Sequence, residues 1–200
     1  SSTHGVVGAR AVHEGGWRPN SNYDLAQAHL RLVRDLSKSA TLDGGVELYG
    51  SQWNSAGYLS ETEFENHDYD IVSNKSDGGH KLRAQERASL RVLSGNMLWR
   101  STVYATQGDW RLFLTIPPAG GIFEGNGSQT EETDNRFGFG ATSAVTWQLS
   151  RAELTVGGEG RFDQSHYENW FTTDRARDSA QALLHAHQLS GGLFAQAGVD

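Results

Sequence analysis

The feature that most constrains this chain is a two-residue alternation of charged and apolar side chains, repeated along its length. "RAELTVGGEGRFD" (Arg151–Asp163) shows it. Arg151, Glu153, Glu159, Arg161 and Asp163 fall on one side, and Ala152, Leu154, Val156 and Phe162 on the other. Successive side chains of a strand point to opposite faces, so the stretch predicts a strand with one charged and one apolar face. Comparable stretches lie at 23–35, 41–53, 81–93, 97–106, 136–149 and 187–199, which makes about seven strands. The clearest sets Leu82, Ala84, Ala88, Leu90 and Val92 against Arg83, Gln85, Arg87, Ser89 and Arg91. Glu86 breaks the pattern by falling in phase with the apolar set. Residues 1–22 have no steady period and read as a loop, with at most the tail of an earlier strand.

The connections sort the possibilities further. They run short (36–40, 94–96, 149–150) and long (54–80, 107–135, 164–182) in strict turn. In an up-and-down sheet, all short turns then gather at one end and all long loops at the other. The strands run roughly 11–14 residues, against about 5–6 in ordinary sheets, whereas a tilted membrane-crossing strand needs about 9–11. Together these features predict an all-β, antiparallel, up-and-down arrangement forming an open segment of a large transmembrane β-barrel. The apolar face would meet lipid and the charged face a wet lumen. Tyr23, Trp53, Trp99, Trp147 and Phe162 near strand ends suit interfacial girdles. Seven strands with bare edges cannot stand alone in lipid, so residues 1–200 are expected to be part of a barrel cut at both ends. A soluble β-sandwich is the alternative, and there the apolar face would point inward.

Composition excludes several classes. With 17 basic and 24 acidic side chains the net charge is -7, so no nucleic-acid partner is expected. There is no Cys, hence no disulfide or thiolate chemistry. A mean hydropathy of -0.56 does not exclude a membrane barrel, because alternating strands average out as polar.

No catalytic constellation stands out, and an enzyme is not expected. Arg83, Arg87 and Arg91, with Arg100 on the next strand, form a ladder able to meet an anionic ligand or a plug. Neutralisation in a lumen network with Glu47, Glu153 and Asp163 is the plainer reading, since such charges usually pair. The acidic runs "ETEFENHDYD" (61–70) and "TEETD" (130–134) lack calcium-loop spacing and read as solvated loop. His185 and His187 share a strand face, with His166 in the preceding loop; such a pair is most often incidental, and no metal or other cofactor is assigned. "GGIFEGNGSQ" (120–129) has no Lys and no following helix, so it is no phosphate loop.

In series, several stretches resemble the barrel of TonB-dependent outer-membrane receptors. "YGSQWNSAGYLSE" precedes "SDGGHKLRAQERASL"; then come "RSTVYATQGDWRLFLT", "EETDNRFGFGATSAVTW", "AELTVGGEGRFDQSHYENWFTTDRAR" and "HQLSGGLFAQAGVD". The resemblance covers about residues 17–200. It implies active uptake of a scarce nutrient, such as a siderophore or oligosaccharide, across the bacterial outer membrane. TonB would act through a plug domain missing from this chain. Substrate contacts would come from the outer loops and lumen, with Arg83, Arg87, Arg91, Arg100, Trp110, Arg161, Tyr167 and Trp170 as candidates. A passive porin and a soluble carbohydrate-binding module are the alternatives.

Overall fold

The computed structural model describes residues 2–116 and 128–199. These form one antiparallel sheet of eight strands in chain order. The strands are β1 (Thr3–Glu14), β2 (Tyr23–Asp35), β3 (Ala40–Asn54), β4 (Gly78–Ser94), β5 (Met97–Ile116), β6 (Ser128–Gln148), β7 (Ala152–Thr173) and β8 (Ala176–Val199). The sheet is open, with β1 and β8 at its edges. A single short helix, α1 (Glu61–Glu65), interrupts the β3–β4 connection. Ser60 and Glu63 satisfy each other's backbone N–H groups in a capping box that starts it.

The all-β, up-and-down expectation matches this architecture, but three details differ. First, there is an eighth strand. β1 pairs along its length with β2, from Thr3 opposite Arg34 to Glu14 opposite Tyr23. Gly5, Val7, Ala9 and Ala11 make one face small and apolar, but His4, Val6, Gly8 and Arg10 make the other mixed, so the contrast between the faces is weak.

Second, the four later strands reach far beyond their alternating stretches. Most of 107–135 and 164–182, expected as loops, is strand. Third, the β7–β8 connection is only the pair Asp174 and Arg175, with φ of 48° and 69°. Two consecutive positive φ values are the signature of a tight I′-type hairpin turn. The β4–β5 turn is equally tight, and Gly95 supplies its positive φ of 60°.

Directly opposed residues of an antiparallel pair share a face, so the register sorts the side chains. One face carries Leu30, Leu48, Leu82, Val103, Phe139, Val156 and Leu193. It has no covering layer. Phe137, Phe139, Leu154 and Val156 are 39%, 52%, 39% and 45% exposed, and Leu193 is 93% exposed. A two-layer sandwich would bury them. Among the described residues the only buried hydrophobic side chains are Ala56 and Phe113.

The apolar stretch on each strand has definite limits: Ala40–Gly50 in β3, Leu82–Val92 in β4, Met97–Ala105 in β5, Phe137–Trp147 in β6 and Leu189–Val199 in β8. Each approximates the 9–11 residues of a tilted crossing strand. Past these limits the same face turns polar, at Asp24, Gln52, His80, Gln107, Asn135, Gln164 and His187. Asp24, Gln52 and His80 share one register row. Gln107 lies lower, opposite Ala84, so the margin steps down between β4 and β5.

Glu86 lies within the apolar stretch. It opposes Val46 and Ala105 in continuous register, so neither a slip nor a bulge removes it from that face. Trp99 and Trp147 lie on the apolar face near the short turns, whereas Tyr23 and Trp53 oppose each other on the charged face. That pair therefore forms no girdle.

Candidate functional site: a basic row and an aromatic loop cluster

Strand pairing assembles the charged face from residues far apart in sequence. One register row runs Arg31, Gly45, Arg87, Tyr104, Gly140, Arg161 and Ser190. Gly140 makes room for the long side chain beside it. A Cβ on Gly140 would stand 2.5 Å from the Tyr104 hydroxyl, so only glycine lets that ring lie across β6. A Cβ on Gly45 would meet the Arg87 guanidinium only at an ordinary contact distance of 3.7 Å.

The arginines differ in how they are satisfied. Arg31 holds Asp43 through two bonds of 3.0 and 2.7 Å. Arg161 holds Asp163 likewise, at 2.6 and 2.7 Å. Arg83 reaches Glu47 at 3.3 Å. Among the described residues no ion pair is formed by Arg87, Arg91 or Arg100, and Arg91 stands directly opposite Arg100. Of the ladder, neutralisation by the expected acids therefore holds for Arg83 alone, through Glu47; Asp163 is taken by Arg161. Glu153 instead accepts a hydrogen bond from Gln148.

Two hollows lie on this face. One, of about 460 Å³, is lined by Glu47, Gln85, Arg87 and Tyr104. The other, of about 550 Å³, is lined by Arg136, Arg161, Asp163 and Gln188. A third hollow, of about 1180 Å³, is different in kind. Small apolar-face residues such as Ala9, Ala28, Gly50 and Ala84 line it, and it is a shallow trough between bulkier neighbours.

The expected aromatic contacts lie in strands rather than loops. Trp110 of β5 and Tyr167 of β7 both oppose Asp134 on the charged face. Trp170 is on the other face, where its Nε1 donates to Glu168 at 3.0 Å and Arg177 stacks on its ring at 4.7 Å. The Glu168 carboxyl is held below its ordinary range, chiefly by that Trp170 bond and then by Arg177. Glu131 pairs with both Arg111 and Arg177, and Asp134 with Arg136 and Ser165, so these two acids of "TEETD" are part of the strand network. Residues 117–127, which hold most of the glycine-rich stretch, lie outside the described residues.

The aromatic cluster that the sequence did not single out lies in the 15–22 and 55–77 connections. Tyr69 is its centre, with Trp17, Phe64 and His67 each edge-on at 5.7, 6.0 and 5.7 Å. Trp17 and Phe64 are 75% and 61% exposed. Arg18 fastens the two connections. Its guanidinium donates to the carbonyls of Tyr69 (3.1 Å), Gly57 (2.9 Å) and Ile71 (2.6 Å). The sequence signal was the interleaving of Phe64 and Tyr69 among acids in "ETEFENHDYD", which charge alone disguises as plain solvated loop.

The long connection is then moored to the strand extensions. Asp77, fully buried, accepts from the Thr115 N–H (2.8 Å), the Thr115 hydroxyl (2.9 Å) and Gln129 Nε2 (2.8 Å). Gln129 Oε1 in turn accepts from Thr172 and from the Arg175 N–H. Arg175 also donates to the Ser76 carbonyl at 2.7 Å and lies over the Phe113 ring at 4.9 Å. These contacts hold a non-glycine residue in the left-handed region.

No protein-family profile and no curated protein matches the chain. Its fold has clear counterparts among solved structures. A crystal structure of the ferric citrate transporter FecA, unliganded, superposes with a TM-score of 0.71 at 12% identity, over 99% of this chain and 30% of that one. The RagAB peptide importer in its closed-closed state gives a TM-score of 0.53 at 9% identity, over 99% and 28% of the two chains. The chain thus spans under a third of the length of these neighbours, and what is shared is the antiparallel fold.

Proposed function

We propose that this chain is a sector of the wall of a bacterial outer-membrane active transporter of the TonB-dependent type. The observation that carries the reading is the uncovered apolar band. Side chains such as Phe139 and Leu193 are exposed on a face with no second layer, across a height that fits a hydrocarbon core. The strand extensions and the 15–22 and 55–77 connections would stand in the external medium.

Arg87, Arg91 and Arg100, with Tyr104 and Arg161, then face the lumen as a basic surface. Their chemistry favours an anionic cargo or an acidic plug surface packed against the wall. Arg83 contributes through its pair with Glu47; Trp110 and Tyr167 lie higher on the same face; and the Trp17–Phe64–Tyr69 cluster makes the first contact with cargo. Trp170 serves the Glu168–Arg177 clamp on the outer face instead. Energy would come from TonB through a plug domain outside these residues, and the cycle is binding, plug movement and release without covalent chemistry.

The chain has no Cys, so single cysteines carry spin labels without background. Labels at Phe139→Cys and Leu193→Cys, in the protein reconstituted in lipid, are expected to collide with oxygen and not with a water-soluble nickel chelate. A label at Glu159→Cys should show the reverse. Chelate access at positions 139 and 193 would overturn the membrane assignment. Uptake that survives collapse of the proton-motive force would instead favour a passive pore.

A further inference from the structure

We propose that the exposed aromatic cluster of the 15–22 and 55–77 connections is a docking surface for a cationic peptide, one that carries Arg or Lys side chains among apolar ones. Trp17, Tyr58 and Phe64 are 75%, 51% and 61% exposed. The helix α1, which carries Phe64, buries none of its residues. The rings therefore build no core of their own. Single exposed rings are ordinary, but apolar surface grouped in water marks an interaction site.

The cluster is also held in place before any partner arrives. Arg18 ties the carbonyls of Gly57, Tyr69 and Ile71 together. The Ser73 hydroxyl donates to the Tyr58 carbonyl at 2.8 Å. His67, at a positive φ of 61°, packs edge-on against Tyr69. Rings fixed in advance lose little freedom on contact, and rigid aromatic anchors dominate the energies of interfaces.

Charge names the partner. Glu65 follows Phe64 in the chain, and Asp68 and Asp70 flank Tyr69. All three acids are exposed, and among the described residues none of them forms an ion pair. Lys75 is the only Lys or Arg of 55–77, and Arg18 spends its donors on carbonyls. The Arg18 guanidinium also stands 5.8 Å from the Trp17 ring centroid, within cation–π range, so one ring of the cluster already holds a cation. Carboxylates draw in Arg and Lys, aromatic faces retain them, and an anionic partner meets repulsion. Several separate carboxylates call for several cations on one chain, hence a peptide rather than a lone ion. The binding itself does not depend on the transport reading. Resting on that reading, the cluster's first contact makes the cargo cationic and leaves the lumen arginines to the acidic plug surface.

The test is fluorescence anisotropy of the full chain, folded in non-ionic detergent, with a labelled peptide of Arg-Gly-Tyr repeats. Peptides with Gln or Glu in place of Arg serve as the neutral and acidic probes. The Arg peptide should bind saturably, the Gln peptide more weakly and the Glu peptide not at all. Trp17→Ala and Phe64→Ala should each weaken binding about 10-fold or more. The combined Glu65→Gln, Asp68→Asn and Asp70→Asn variant should weaken it severalfold at low ionic strength and flatten its salt dependence. Those three acids are exposed and unpaired, so their loss should not disturb folding. Glu153→Gln, at the opposite end of the sheet, should leave the titration unchanged. The proposal is overturned if the Gln or Glu peptide binds as tightly as the Arg peptide, if no binding saturates, or if the triple variant titrates like wild type. Spin labels at positions 139 and 193 judge the membrane assignment separately, so either reading can fail while the other stands.

Discussion

Two regions of the same strands follow opposite rules. In the band from Phe137 to Trp147 of β6, apolar side chains are exposed; Phe139 is 52% accessible. A few residues earlier on the same strand and face, Gln129, Glu131 and Thr133 are 3%, 2% and 5% accessible. Apolar groups are uncovered where the strand is plain, and polar groups are buried where it extends. In water this is inverted. The contrast resolves if the band is solvated by hydrocarbon and the extension by water. In the band, the sheet needs no second layer. In the extension, a two-layer contact must be built, and it is built from the 55–77 connection by hydrogen bonds around Asp77.

The sharpest way to break this comparison is to exchange the rules. Phe139→Arg places a cation at mid-band and should destabilise the lipid-embedded fold by about 2–4 kcal/mol, measured by denaturant titration in liposomes. The same substitution should cost much less in detergent, and equal costs in both media would count against the band. Next, Asp77→Ala strands the Thr115 N–H and the Gln129 amide, at about 1–3 kcal/mol of local stability. Hydrogen exchange should accelerate across residues 55–77 and leave 137–147 protected; global unfolding instead would show that the two regions are one cooperative unit. Glu86→Leu should act in the other direction. It removes an unpaired carboxylate from the apolar band and should stabilise the protein by about 1 kcal/mol in lipid, less than an arginine there costs.

The smallest effect is one of pH. Trp170 and Arg177 depress the Glu168 carboxyl below its reference value of 4.5. A depressed carboxyl stabilises the fold above the unfolded value and loses that contribution as pH falls through the folded one. The β7–β8 tip should therefore loosen below about pH 4.5. Indole fluorescence of a protein retaining Trp170 as its only tryptophan would follow the change. Arg177→Met should remove part of this pH dependence.

The same division explains what could be read from the sequence. Where one face is apolar and the other charged, side chains must alternate, and the limits of β2 and the middle of β3 to β8 were legible. Beyond the band both faces meet polar partners, so Asp109, Arg111, Glu131, Thr133, Glu168 and Trp170 carry no period-two signal. Those segments read as loop. β1 was hidden because Val6 and Val7 are neighbours on opposite faces. The pairing of Arg161 with Asp163 could be read from their spacing. The opposition of Arg91 to Arg100 followed from the tight turn at Gly95. The Arg18 clamp could not be read, because it grips carbonyls of Gly57, Tyr69 and Ile71, and backbone acceptors leave no mark on composition.

That clamp also governs how the outer connections meet proteases. Arg18 is followed by Pro19, a bond that trypsin-like enzymes do not cut. Lys75 is the only Lys or Arg of 55–77, and its scissile bond leads into Ser76, whose carbonyl Arg175 holds and whose hydroxyl Gln129 holds. A protease must draw a strand-like segment into its cleft, so cleavage here waits on local opening. The longest described connection thus offers enzymes that cut after basic residues no free point of attack while Asp77 and Arg18 keep their partners.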